Sequence, residues 1–540
     1  MTDRSRWIRI TGFLWLAASV LYFGWGTRFR YAESFRTPIW FDEAYNLQIP
    51  WHFAHDGKYG ASSPRGEIPS VENGKLFDSA VTTGPTFLLP VGVLERFFPG
   101  PLVGHGRRVG FLFFALFVLS MPTALLFRSV DPIFVMPALF TTFSIVNEPH
   151  WANLSTEILG ESPGVTLLCV STLLWFFGTG TRRRCFAGLA GVIAASAVLS
   201  KLLFLVPLAG IVTFFIFARI FRFFEDCERP EAIPFLVGFV SLFFVWEFFQ
   251  LFQAGGLDGY LSLKRQAFHA FFAVSGGPTI HTPIGGSEWR MSTMRKLALV
   301  GSAFASRGVL TVIALSFGII GIFAPIRVWF FRKGVKASSR AGWSALLWGA
   351  LAYHAWFILL SPTGWQRHYI PAWVMFEVGA FGLFFEWASS RVRAPFLASV
   401  RVAFRNIFLG VALITVAIRF LSPIRGALAE QYQIEMRLAE VNRVERPEWV
   451  TQSISGDENT FSLFLETGEI PENAFREGDR AGGFCGRLLP RKDLRYALVN
   501  ESDFVGPRPP EWRCGGGAPS ALGSSRFELE ICRGQDLECR

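Results

Sequence analysis

The chain has 540 residues, of which 51% are hydrophobic and only 17% are charged. A soluble globular protein carries roughly 25% charged residues, so this composition argues against a soluble enzyme. A net charge of +10 is typical of many nucleic-acid-binding proteins. Here, however, the basic residues form short clusters between apolar segments and do not form one basic surface. The composition therefore predicts an integral membrane protein with membrane lipids, and no nucleic acid, as partners.

The apolar segments predict the number of membrane-spanning helices. A spanning helix needs about 20 apolar residues, or roughly 17 at the short end. The N-terminal segment is basic and then apolar, like a signal peptide, but no small-residue cleavage site follows, which favours an uncleaved first helix. We predict about eleven spans, at residues 8–27, 109–128, 132–148, 163–178, 186–199, 201–218, 233–252, 308–326, 343–360, 369–387 and 402–421.

The charge pattern predicts the orientation of these spans. Every second connecting segment is rich in Arg and Lys, which places those segments and the N-terminus in the cytoplasm. Three regions then lie outside, namely 28–108, 253–307 and the tail 422–540. The tail begins with a polar, helix-like stretch and ends with the strand-like runs RYALV and RFELEIC. We therefore divide the chain into a membrane domain, 1–421, and a small outside α+β domain, 422–540.

For two segments the number of membrane crossings does not follow from length alone. Residues 186–218 are too long for one helix, and basic segments flank them on both sides. They are predicted to form two short helices with a turn at Ser200-Lys201 near the outer face. Residues 84–98 are apolar but short and interrupted by prolines. Counting them as a span would break the charge alternation, so we predict a helix that lies along the outer membrane surface.

The cysteines are distributed as this topology predicts. Cys485, Cys514, Cys532 and Cys539 all lie in the tail, where an oxidising compartment would favour two disulfides with three ways of pairing. Zinc binding is the alternative, but the tail lacks a closely spaced C-x-x-C pair.

Two acidic segments follow predicted outer ends of spans. Asp42-Glu43 lie beside Trp40 and Phe41, where partial desolvation would raise a carboxyl pKa and favour a general base. A solvated acidic pair in a loop is the simpler interpretation. The second segment carries Glu148, Glu157 and Glu161. Glu157 and Glu161 are four residues apart and would share a face on a helix, where such like charges require a cation, a function or simple solvation at the interface.

Basic residues at the same predicted face complete a candidate site. They are Arg107-Arg108 before the second span, Lys201 at the tight turn, and Arg367-His368 before the tenth span. Each is consistent with an interfacial anchor. Together they form a ring of cations that suits an anionic phosphate. Within the spans, Glu247, His354 and Glu377 are ionisable and predicted to face the bundle interior, without an assigned role.

Several motifs resemble those of the GT-C superfamily of integral membrane glycosyltransferases. They are FDEAYNLQIPWHFAHDGKYG, FDSAVTTGPTFLLPVGVLERFFPG, GRRVGFLF, STEILGESPG, LSKLLFLVP and RHYIP, in this order. The resemblance is greatest to the branch of protein O-mannosyltransferases and lipid A aminoarabinose transferases. It covers the first 220 residues and, more weakly, the RHYIP element, and the tail carries no motif of a known family. It implies an all-α polytopic helical bundle, a bacterial inner-membrane location and a sugar donor linked to a polyprenyl phosphate.

The resemblance also implies roles for single residues. Asp42 matches the family's key acid, Glu43 is its neighbour, and Glu161 lies where the second outside loop supplies another acid. Arg108 and Lys201 match basic positions near the donor phosphate, and Arg367, His368 and Tyr369 are further substrate-binding candidates. A divalent cation held by Asp42 and Glu161 stays open. The acceptor is a lipid, a glycan or a protein.

Two other function classes fit the same composition. A transporter or flippase of lipid-linked sugars would explain the spans and the ionisable residues inside them. It would not need a long first outside loop with an acidic pair, and many transporters contain repeats, which this chain lacks. An assembly factor whose tail is the working part is the third class. The intact set of acids and cations favours the enzyme.

Overall fold

The computed structural model is a bundle of α-helices with two small antiparallel sheets. The N-terminal part of the chain is described almost continuously, whereas the tail is described only at three strands. The described residues are 3–34, 41–61, 70–71, 74–76, 83–98, 102–128, 130–155, 157–178, 182–220, 230–265, 292–305, 309–331, 341–361, 366–391, 398–422, 484–487, 497–500 and 512–514.

Fifteen helices are labelled here in chain order. They are α1 Asp3–Ser34, α2 Phe41–Asp56, α3 Pro85–Phe97, α4 Leu102–Phe127, α5 Val135–Val146, α6 Pro149–Leu154, α7 Glu161–Phe177, α8 Arg183–Ser200, α9 Leu205–Ile220, α10 Ala232–Gln253, α11 Thr293–Ala305, α12 Val309–Phe331, α13 Ala341–Leu359, α14 Gln366–Arg391 and α15 Ala398–Leu421. Residues 257–265 are helical as well.

The helices confirm an integral membrane protein. Within the described residues, seven helices are long and apolar enough to cross a bilayer, and three shorter apolar helices accompany them. All eleven predicted spans coincide with helices, but membrane crossing by all eleven stays a prediction. Helices α4 and α14 are mostly buried, whereas α1, α10 and α15 expose most of their apolar surface, as lipid-facing helices do.

The predicted break near Ser200 is confirmed. Helix α8 ends at Ser200, Lys201 is extended with φ −164°, and a 3₁₀ turn at 202–204 leads into α9. Helix α8 packs against α7 and α10, whereas α9 packs against α13. Glycines allow the close approach of α8 and α10, since a Cβ on Gly191 would lie 2.0 Å from the carbonyl oxygen of Phe235.

The first predicted outside loop is shorter and more ordered than expected. Helix α1 continues to Ser34 and α4 begins at Leu102, so the connection is 35–101 and not 28–108. Consequently, Arg107 and Arg108 lie inside α4 and do not precede it. The connection contains α2, three short strands and α3. Strand β3 (Gly74–Leu76) pairs with β1 (Gly60–Ala61) and β2 (Ser70–Val71).

Helix α3 corresponds to the predicted surface helix. Its 13 residues extend over roughly 20 Å, less than the roughly 30 Å hydrocarbon core. It packs on α2, α4 and α8, and the Thr86 hydroxyl donates to the Ser196 carbonyl at 2.7 Å. The length agrees with a helix that does not cross the membrane, and its position along the outer surface stays a prediction.

The tail contains a three-stranded antiparallel sheet. Strand β4 (Phe484–Arg487) lies between β5 (Ala497–Asn500) and β6 (Trp512–Cys514). Cys485 and Cys514 are directly opposite each other in the β4–β6 register. The polar helix-like stretch, Cys532, Cys539 and the side chains of all four tail cysteines lie outside the described residues. The α+β domain and its disulfides therefore stay predictions.

Candidate active site

A buried ion pair joins the first acidic motif to helix α4. Glu43 lies in the first turn of α2, where a carboxylate is favoured by the helix dipole. Its two oxygens accept from the Arg107 guanidinium at 2.7 and 3.0 Å, and both side chains are fully buried. A buried pair of this kind needs good geometry and further hydrogen bonds to offset desolvation. Here the bidentate arrangement supplies the geometry.

The first turns of α2 also hold the second acidic segment. The Ile158 N–H donates to Glu43 Oε1 at 2.6 Å. One turn later, the Asn46 amide donates to the Ile158 carbonyl at 2.9 Å and to the Thr83 hydroxyl at 3.0 Å. Both polar groups of the Ile158 backbone are therefore satisfied by α2. These hydrogen bonds bring the DE, TTGP and STEILGE motifs together.

A second ion pair lies at the start of α7. Glu161, the first residue of α7, accepts from the Lys201 ammonium at the break between α8 and α9. The Ser200 hydroxyl donates to the Gly160 carbonyl at 3.1 Å. The Ser200 carbonyl in turn accepts the Gly84 N–H at 2.8 Å. The LGE, SK and TTGP motifs are therefore in direct contact.

Gly160 leaves no space for a side chain at this junction. A Cβ there would lie 2.3 Å from the Ser200 oxygen and 3.3 Å from the Lys201 Cβ. Because that oxygen already accepts the Gly84 N–H, the backbone cannot move aside freely. We expect Gly160→Ala to destabilise the protein by about 1–3 kcal/mol through overpacking. Thermal unfolding of the purified protein measures the effect.

Gly410→Ala is the control for this substitution. Gly410 is inside α15, and a Cβ added there would meet no neighbouring atom within 4 Å. Alanine at this position is expected to be neutral or to stabilise the helix by up to about 1 kcal/mol. Equal stability of the two variants would show that the junction at Gly160 is looser than the structure indicates.

Glu157 lies near the two ion pairs, in the segment before α7, so it does not share a helix with Glu161 as their spacing had suggested. Burial, followed by the nearby Glu43 carboxylate, raises the pKa of Glu157 to about 8. The Glu161 carboxylate raises this pKa as well. The charges of Arg107 and Arg367 lower the pKa of Glu157, since they favour its ionised form. Glu157 is therefore protonated for much of the time near neutral pH, which limits the repulsion among three neighbouring carboxyl groups.

The other candidate residues occupy different positions. Asp42 lies in the first turn of α2 directly before Glu43, and its side chain lies outside the described residues. Arg108 points toward the end of α15, where it donates to the Ser422 carbonyl at 3.1 Å. Arg367 lies near enough to Glu157 to affect its ionisation. These contacts leave the predicted roles of Asp42, Arg108 and Arg367 untested.

His368 and Tyr369 are buried in the first turn of α14, and this helix begins at Gln366, so Arg367 and His368 do not precede it. The His368 ring lies 6.0 Å from Trp356, and the Tyr369 ring lies 5.5 Å from Phe357. Both residues therefore face helix α13. Their substrate-binding roles stay predictions.

Sequence reasoning assigned no individual role to four residues that the structure places at these pairs. Arg107, and not Arg108, contacts Glu43. Asn46 and Thr83 form the hydrogen bond that joins α2 to the TTGP motif. The buried Tyr353 of α13 interacts electrostatically with Glu161. Asn46 follows Glu43 by three residues, which puts both on one face of α2 and was a usable signal. The other three depend on contacts between distant segments.

The three ionisable residues inside predicted spans lie in different surroundings. Glu247 accepts from the Lys264 ammonium at 2.8 Å and from the Tyr260 hydroxyl at 2.7 Å. His354 is buried, and its Nδ1 lies 2.9 Å from the Ala350 carbonyl oxygen. Glu377 is buried in α14. Among the described residues, no three His, Cys, Asp or Glu side chains form a group suited to a metal ion.

Comparison with known proteins gives only a distant structural likeness. No protein-family model matches the chain, and no curated protein matches it. Among solved structures, the chain is similar to ArnT from Cupriavidus metallidurans bound to undecaprenyl phosphate. The identity is 13%, and the match covers 86% of this chain and 76% of that one, with a TM-score of 0.42. These values mark a remote likeness of fold only.

Proposed function

We propose that this protein is a membrane glycosyltransferase that moves a sugar from a polyprenyl-phosphate donor to an acceptor. The acceptor is a lipid, a glycan or a protein at the outer face of a bacterial inner membrane, with the N-terminus in the cytoplasm and the tail outside. The observation that carries the proposal is the convergence of four motifs distant in sequence. DE, TTGP, LGE and SK are linked to one another by buried hydrogen bonds and ion pairs.

The arrangement fits acids and cations that work together. Glu43 is fully committed to Arg107 and to the Ile158 N–H, so its role is to position the start of α2. That leaves Asp42, its neighbour, as the proposed base that accepts the proton of the acceptor hydroxyl or amide. Lys201, held by Glu161, supplies positive charge close to this region. A divalent cation at Asp42 and Glu161 is the open alternative for the same acids.

The chemistry requires few catalytic groups. A lipid-linked phosphate is a good leaving group, so cations that stabilise the developing charge take the place of a general acid. The acceptor oxygen or nitrogen attacks the anomeric carbon opposite the phosphate, its proton passes to the base, and the bond from that carbon to the phosphate oxygen breaks. This displacement inverts the anomeric centre. Exclusion of water protects the donor from hydrolysis.

Sugar transfer by the purified protein tests the proposal. Wild-type protein in lipid nanodiscs is incubated with a panel of radiolabelled polyprenyl-phosphate sugars and a membrane extract as the source of acceptor. We expect labelled product from at least one donor. A flippase would move the donor across a vesicle membrane and give no labelled product, and that combination of results would replace the enzyme by the transporter.

A further inference from the structure

Helix α11 buries a lysine and leaves two of its large apolar residues exposed. Lys296 is 3% exposed, whereas Met294 and Leu297 on the same helix are 74% and 44% exposed. Val300, one turn after Lys296, is buried as well, so the inward face of α11 combines an apolar residue with a cation. The exposed Met294 and Leu297 are suited to a lipid surface, and the lysine points into the protein.

Lys296 differs from the other buried cations. In the part of the chain that the structure describes, three Lys or Arg residues are buried, namely Arg30, Arg107 and Lys296. Arg107 is paired with Glu43, and Arg30 interacts electrostatically with Glu33. The contacts of Lys296 are the Ser361 carbonyl and the Phe357 ring, 5.7 Å away. Neither contact carries a negative charge.

A buried ammonium of this kind needs an anion. Burial of an unpaired charge is costly, and a carbonyl oxygen with a cation–π contact offsets only part of that cost. Desolvation also lowers the pKa of Lys296, which shows that its surroundings in the free protein disfavour the charge. A bound anion would remove the disadvantage by supplying the missing countercharge.

The position of Lys296 links it to the candidate site. Phe357, which lies below the ammonium, is also in contact with Tyr369 in the first turn of α14. That turn carries Arg367, whose charge lowers the pKa of Glu157. Lys201, by contrast, has a carboxylate partner in Glu161. An anion beside Lys296 would therefore lie at the same end of α13 and α14 as the proposed substrate residues.

We propose that Lys296 binds the phosphate group of the lipid-linked donor. The proposal rests on the proposed function and assigns the donor's anion to a residue that the sequence motifs do not include. The ligand is a phosphate on an apolar chain, since the exposed Met294 and Leu297 lie on either side of Lys296 along α11 and are suited to contact lipid. Lys296 is a binding residue here and takes no part in proton transfer.

Binding of undecaprenyl phosphate to the full-length protein in nanodiscs tests this assignment. Undecaprenol is the matching ligand without charge, and inorganic phosphate is the matching anion without lipid. We expect Lys296→Met to lower the affinity for undecaprenyl phosphate about ten-fold to a hundred-fold, as expected for loss of a charge-assisted contact. Affinity for undecaprenol should stay the same. Lys296→Arg, which keeps the charge, should retain most of the binding.

Arg295→Met is the matched control. Arg295 is the neighbouring cation on α11 and is exposed, so its loss changes the net charge equally without touching the buried position. We expect no change in phosphate binding. Lys296→Met should also melt at the same or a higher temperature without ligand, because it removes a buried charge. Added undecaprenyl phosphate should stabilise it less than wild type.

Three results would overturn the assignment. One is an unchanged preference of Lys296→Met for the phosphate over the alcohol. Another is a lower melting temperature with that preference intact, which would leave Lys296 as a structural donor to the Ser361 carbonyl just after α13. The third is equal, Lys296-dependent binding of inorganic phosphate, which would remove the lipid from the proposal. If wild type binds the phosphate through Lys296 but transfers no sugar, the proposed function fails and this inference stands.

Discussion

Replacement of Asp42 by Asn is expected to lower sugar transfer about 10²–10⁴-fold, the usual contribution of a general base. The substitution keeps the shape of the side chain and removes the carboxylate. Because Glu43 and Asn46 hold the first turns of α2 through Ile158 and Thr83, the fold around position 42 should be preserved. Donor binding should change far less than turnover, since the lipid chain and the cations supply most of it.

The control for this experiment is Asp258→Asn. Asp258 is an exposed acid in the second predicted outside loop and is not a member of either ion pair. Transfer at the wild-type rate by this variant would show that loss of an outer carboxylate alone is harmless. Equal transfer by Asp42→Asn and wild type would remove Asp42 from the mechanism, and Glu161 would become the candidate base.

Glu43→Gln is expected to destabilise the protein by about 3–5 kcal/mol, because it removes the buried carboxylate that forms a bidentate ion pair with the Arg107 guanidinium. Glutamine can still accept the hydrogen bond from the Ile158 N–H, so the loss of stability measures mainly the contribution of the ion pair. The double variant Glu43→Gln/Arg107→Met removes both charges and should recover much of the stability. Thermal unfolding and the yield of folded protein measure both effects.

A partly exposed ion pair provides the comparison for the buried Glu43–Arg107 pair. Arg183 and Glu231 lie 2.5 Å apart with 23% and 26% of their side chains exposed. Breaking that pair with Arg183→Gln should cost only about 0–1 kcal/mol, because water solvates the remaining charge. Similar losses for Glu43→Gln and Arg183→Gln would contradict the burial of the Glu43–Arg107 pair. A double variant no more stable than Glu43→Gln would show that Arg107 has another essential partner.

The sequence by itself determined the helical architecture. Long apolar segments separated by charged ones predict helices, since the backbone can satisfy its hydrogen bonds inside lipid only within a helix or a closed barrel. Every predicted span therefore coincides with a helix, and the break at Lys201 lies where the length of the segment requires it. The ends of helices were less predictable. Polar residues such as Arg107 occur inside α4 because a buried partner compensates them.

Only the tertiary structure decided which polar residues meet. The sequence pointed to DE, TTGP, LGE and SK as motifs, but their spacing along the chain does not show that Asn46 contacts Thr83 or that Gly84 contacts Ser200. The sequence also contains two adjacent arginines, and it does not show which of them contacts Glu43. The rotation of about 100° per residue on α4 directs Arg107 to Glu43 and Arg108 to the end of α15.

Lys296 illustrates the same limit most clearly. In the sequence it is one of several basic residues in a polar loop, where a lysine is ordinarily solvated. Its burial follows from the packing of α11 on α13, which covers Lys296 and leaves Met294 and Leu297 outside. Composition and periodicity determine which segments become helices, because these are local properties. Pairing and burial of charges depend on which helix faces come together, and that is a property of the folded chain alone.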